Sequence, residues 1–124
     1  MTIEEAIKTV DDFKPNQYEH ETKVKWLSNL DGMIFRELIC THAGHHGRCF
    51  DGYDGAPPNR ELLVPFPYAD DVYNYWLQAQ IDKENGEMTK YNQSVALYNN
   101  AYRQYASWYN RTHMPLPANT RFAF

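Results

Sequence analysis

The chain of 124 residues predicts an all-α fold: a small bundle of about four helices with a long central loop and an extended C-terminal tail. Three observations predict it. Apolar residues recur at helical spacing over most of the length, glycine and proline concentrate in the middle, and the last third carries a row of tyrosines three and four apart. The length suits one domain over 1–124 with a single core.

Thr2 and Glu5 have the spacing of a capping box, and Ile3, Ala6, Ile7 and Val10 follow on one face, so a first helix is expected over about 3–13. Pro15 disfavours a helical conformation in the residue before it and stops that helix at Lys14. A second helix is expected from near Glu19–Glu21 to about Ile39, with some of Val24, Leu27, Leu30, Ile34 and Leu38 buried and Gly32 a mild cost within it. Residues 42–67 hold four of the six glycines and four of the seven prolines, which predicts a long loop. Within it Glu61–Pro67 reads as a short extended run, confined to an edge by Pro65 and Pro67.

The third helix is expected after Pro67, with Asp70 or Asp71 in its first turn, continuing through Tyr73, Trp76, Leu77 and Ile81. Asn85-Gly86 then leaves two outcomes open. The pair is a natural helix stop, yet Leu77, Ile81, Glu84, Met88 and Tyr91 keep one spacing across it. Either the chain turns back as a helical hairpin or a single helix of roughly 60 Å runs on, at about 1.5 Å per residue. Met88, Tyr91, Val95, Tyr98, Tyr102, Tyr105 and Tyr109 form the seam of the last helix, which ends at His113-Met-Pro-Leu-Pro. Tyrosine offers apolar area with a hydroxyl that needs a partner, which suits a surface that is part core and part docking face.

Charge is segregated along the chain. The net charge is −4, but all 16 acids fall within residues 1–87, whereas residues 88–124 hold Lys90, Arg103, Arg111 and Arg121 with no acid. Such polarity favours head-to-tail contact between identical subunits, or docking of the basic end on an acidic partner. Four dispersed cations are a weak footprint for nucleic-acid binding. No stretch approaches the roughly 18 to 20 apolar residues of a membrane helix, and the N-terminus has no signal-peptide pattern, so a cytosolic protein without a membrane partner is expected.

Cys40, His42, His45, His46 and Cys49 place two thiols and three imidazoles within ten residues. That set is chemically able to bind zinc, although the spacing matches no standard finger, and free cysteines with solvated histidines are the competing reading. No nucleophile elbow or phosphate-cradling glycine loop is present, so no catalytic residue, resident metal or cofactor is expected and the chain reads as a non-enzyme. The tail, with Arg121, Phe122 and Phe124 after two prolines, is a second candidate binding element.

Five stretches spanning most of the chain carry a resemblance: Lys14-Pro-Asn-Gln-Tyr18, Lys25-Trp-Leu-Ser-Asn-Leu-Asp-Gly32, Glu61-Leu-Leu-Val-Pro-Phe-Pro-Tyr68, Ala79-Gln-Ile-Asp82 with Asn85-Gly-Glu87, and Tyr109-Asn-Arg-Thr-His-Met-Pro115. In these the chain resembles small tailed-bacteriophage and prophage head–tail connector (adaptor) proteins; the Cys40–Cys49 cluster lies outside that pattern. The resemblance implies a structural virion protein in the neck, made in the host cytoplasm, that forms a ring under the portal. Its implied partners are the portal protein, neighbouring copies and the downstream neck or tail protein, with DNA passing through unbound. Carried onto this chain, it implies that residues 111–124 dock on the portal or a neighbouring subunit. It also implies that Tyr98, Tyr102, Tyr105 and Tyr109 pack between helices and subunits, with Arg111, Arg121, Phe122 and Phe124 at the contact. The alternative is a small cytosolic metal-binding or regulatory helical protein using the Cys40–Cys49 loop.

Overall fold

A computed structural model of the chain describes residues 1–42 and 49–114, and among them it is an all-α bundle. The helices are α1 (Ile3–Phe13), α2 (His20–Glu37), α3 (Ala69–Glu84) and α4 (Met88–Thr112), with one 3-10 turn at Ile39–Thr41. The capping box of α1 forms as expected: the Glu5 amide donates to Thr2 Oγ1 at 3.2 Å and the Thr2 amide to Glu5 Oε1 at 3.0 Å. Ile3, Ala6, Ile7 and Val10 are all buried. α2 ends two residues short of the expected Ile39, tightening into the 3-10 turn. Its inward face includes Lys23 and Asp31 beside Leu27, Leu30 and Ile34, whereas Val24 is only half-buried.

Asn85-Gly86 resolves as the turn of a helical hairpin. Gly86 takes φ +75°, a left-handed conformation that a side chain disfavours, and α4 folds back so that α3 and α4 share the most extensive helix–helix interface. α1 packs on α2 and α3; α4 packs closely on α3, and its backbone does not come close to that of α1 or α2. α3 is therefore the central helix.

A buried ionic cluster holds this turn. Asp82, with no exposed surface, accepts from Lys14 Nζ at 2.5 Å and from Ser94 Oγ at 2.9 Å, joining the end of α1, α3 and α4. Tyr18 donates its hydroxyl to Asn85 Oδ1 at 2.6 Å, so the α1–α2 connection seats against the hairpin turn. The hairpin also shifts the seam of α4. Ser94 faces α3 at its start and shares the buried face with Tyr98, Ala101, Tyr105 and Tyr109, which leaves Met88 exposed and Tyr91 and Val95 half-buried on the flank.

The long connection contributes to the core although it is irregular. Residues 60–62 run antiparallel to the N-terminus in one isolated bridge, with the Ile3 amide donating to the Arg60 carbonyl at 3.0 Å and the Leu62 amide to the Met1 carbonyl at 2.9 Å. Tyr53, Leu62 and Val64 are buried from this segment.

Replacing Asp82 with Ala would leave the Lys14 ammonium and the Ser94 hydroxyl without their shared acceptor. Removing one partner of such a pair costs about 3 kcal/mol. Urea unfolding of Asp82→Ala is expected to show an unfolding free energy lowered by that amount, read as a lower midpoint at an unchanged slope.

Candidate functional site

The tyrosine row of α4 is a row, but it faces the chain's own core. Tyr98, Tyr105 and Tyr109 are buried, Ala101 sits among them, and Tyr102 is the half-exposed member. Aromatic neighbours cover them. Trp76 from α3 lies 5.2 Å from Tyr98 between ring centroids, and Tyr68 lies 6.0 Å from Tyr105. Burial raises the Tyr98 and Tyr105 hydroxyls above the ordinary tyrosine range, so both remain neutral. Packing between helices thus accounts for Tyr98, Tyr105 and Tyr109 within one chain, and they have little surface left to offer a neighbour.

Arg111 lies on the opposite side of α4, away from the tyrosines. There Tyr68, Arg103, Gln104, Ser107 and Arg111 line a shallow cleft of about 360 Å³. Among the described residues none of the ion pairs includes Arg103 or Arg111. In the sequence Arg111 was placed at a contact only through the resemblance, and Arg103 was noted only as a charge. Their spacing with Ser107, four and eight residues apart on the polar side of the seam, is the signal that groups them. Arg121, Phe122 and Phe124 lie outside the described residues, as does the tail from residue 115.

The Cys/His segment divides. Cys40 is half-buried and Cys49 exposed, both reduced, and they line one cleft with Met33, Phe35 and Phe50. His42 is buried and engaged on both ring nitrogens: Nδ1 with the Leu38 carbonyl at 2.7 Å and Nε2 with Asn110 Oδ1 at 2.6 Å. The His42 ring also packs edge-on against Tyr109, 5.0 Å between centroids. It therefore acts as a strut between the 3-10 turn and the end of α4, which removes it from a ligand set in this conformation. His45 and His46 lie outside the described residues.

The strongest electrostatic feature was not expected. Asp31 on α2 is fully buried; Tyr73 of α3 donates its hydroxyl to Asp31 Oδ1 at 2.7 Å, and the Leu63 amide donates to Oδ2 at 3.1 Å. The Tyr53 hydroxyl also donates to Oδ2, in a very short contact. Tyr73 in turn accepts from the Val64 amide at 2.8 Å. Desolvation pushes the Asp31 carboxyl up to about 6, against the opposing effect of these donors. Burial and the adjacent Asp31 charge push both tyrosines up. The signal in the sequence is that Asp31 stands four residues after Leu27 and one after Leu30, inside the apolar face of α2.

Comparison of the chain with protein-family models, with curated proteins and with solved structures returns no match. The fold and the chain's own residues therefore carry the functional reading.

The Asp31 geometry sets a pH dependence. Because its folded pKa of about 6 stands above the ordinary 3.8, the folded chain keeps a proton that the unfolded chain has released. The associated stability is fully present below pH about 4 and is lost as pH rises through about 6, amounting to about 3 kcal/mol for a shift of about two pKa units. Urea unfolding across this range is expected to show Asp31→Asn without that loss. A variant whose pH profile parallels the wild type would contradict the assignment.

Proposed function

We propose that this chain is a structural subunit of a tailed-phage or prophage neck, a head–tail connector that forms a ring under the portal and extends the DNA channel. One observation carries the reading beyond sequence likeness: the stretches that resemble connectors, far apart in the chain, bond to one another in the fold. Lys14 and Tyr18 of the first stretch hold Asp82 and Asn85 of the fourth. Asp31 of the second takes the Leu63 amide of the third. The resemblance thus follows the interlocking framework of the domain rather than a single fragment.

In this role the chain works mechanically, through its rigid framework and its outer faces, in the virion neck after synthesis in the host cytoplasm. The buried tyrosines stiffen the hairpin. Contact with the portal, neighbouring copies and the next neck or tail protein falls to half-exposed Tyr102, to Arg111 and to the segment bearing Arg121, Phe122 and Phe124. DNA passes through the ring without a specific site.

The test uses particles of the phage or prophage that encodes the chain. Full-length protein is expected to co-sediment with assembled heads, and a chain ending at Met114 to keep its helix content by circular dichroism but be lost from them. Truncated chain retained in full amount would refute the tail's role. Absence of the full-length chain from every particle would refute the connector reading itself.

A further inference from the structure

We infer that the Arg103–Arg111 face of α4 binds the Glu4–Asp12 face of α1 on a second copy of this chain, a head-to-tail contact; the inference deepens the ring reading and rests on it. Four observations combine. Arg103, Ser107 and Arg111 are exposed along one side of α4, and Glu4, Lys8 and Asp12 are exposed along one side of α1 at the same four-residue steps. The two arginines are therefore about 12 Å apart along their helix, as are the two carboxylates along theirs. Laid parallel, the faces oppose Arg103 to Glu4, Lys8 to the Ser107 hydroxyl and Arg111 to Asp12.

Among the described residues none of Arg103, Arg111, Glu4 or Asp12 takes part in an ion pair. Asp70 and Asp71, in the first turn of α3 beside Tyr68, do not pair with an arginine either. Apolar surface borders each face at the matching end. Phe13, next to Asp12, is 71% exposed and Met114, three residues beyond Arg111, is 76% exposed, while Phe66 near the cleft-lining Tyr68 is 86% exposed. Large exposed apolar side chains beside complementary charge are the composition of an interface rim and core.

The placement of the two faces supplies the fourth observation. α1 and α4 both pack on α3 and their backbones do not pack closely on each other, so each molecule offers its acidic and basic faces on different helices. A contact between unlike faces is heterologous, and a heterologous contact closes into a ring when its rotation permits.

The experiment is sedimentation of the full chain up to about 1 mM, at about 50 mM and about 500 mM salt. Wild type is expected to associate at low salt and to weaken at high salt. Arg103→Glu with Arg111→Glu is expected to lose association at least about tenfold, and so is Glu4→Lys with Asp12→Lys. Both variants keep the buried framework, which circular dichroism confirms before sedimentation. Mixed one to one, they again present unlike faces to each other, and association is expected to return. Association of the mixture with neither variant associating alone supports the contact.

A wild-type chain that stays monomeric throughout overturns the inference, and so do variants that associate as wild type does or a mixture that fails to recover. A monomer whose α4 arginines instead bind a polyglutamate peptide assigns the cleft to a foreign acidic partner and likewise overturns it. None of these outcomes touches the connector reading, which falls only if the chain is absent from particles.

Discussion

Burying a carboxylate costs several kcal/mol unless its oxygens are filled, and the donors that fill Asp31 come from parts of the chain with no helical tie to α2. Tyr73 brings α3 to it, while Tyr53 and the Leu63 amide bring the connection that crosses the bundle. Tyr73 then accepts from the Val64 amide, so one residue organises two backbone amides and two phenols. Without regular hydrogen bonding of its own, the connection needs partners for its amides. Asp31 is what lets it lie against the core, placing Tyr53, Leu62 and Val64 inside.

A second buried acid does the corresponding work at the other side of α3. Asp82 takes Lys14 and Ser94, so the end of α1, the central helix and the returning α4 meet at one charge. Asp31 ties the connection to α2 and α3, and Asp82 ties α1 and α4 to α3. Polar groups that are satisfied only in one arrangement favour a single packing over several near-equivalent ones. That property suits a subunit whose job is to hold a shape. It also separates the two sides of α4: the tyrosines face inward to stiffen the hairpin, and Arg103 and Arg111 on its other side stay exposed.

Much of this was legible in the sequence where a local cause decides the structure. α1 is set by its capping box and Pro15, and the start of α3 by the prolines before it. The hairpin at Asn85-Gly86 was not, because helical spacing continues across it; the decision rests on Gly86 in a left-handed conformation and on Asp82 reaching Ser94. The tyrosine seam was legible as a stripe but not as an internal one. Its first members were misplaced because the face that meets α3 there is set by Ser94, whose bond to Asp82 leaves Met88, Tyr91 and Val95 off the buried line. Asp31 and Lys23 were overlooked for the opposite reason. A charged residue on a helix ordinarily faces water, and only partners distant in sequence make its burial tolerable. His42 belongs with them, since the bond to Asn110 that makes it a strut spans the length of three elements.

Most of the account turns on the irregular connection being part of the core because Asp31 and Tyr73 hold its backbone. Native-state hydrogen exchange of the Leu63 and Val64 amides reads this directly, residue by residue. The account predicts protection matching the buried amides of α2 and α3, although neither residue lies in a helix or a strand. Exchange at the rate of an open surface loop would contradict it, and with it the claim that this chain is one rigid building block.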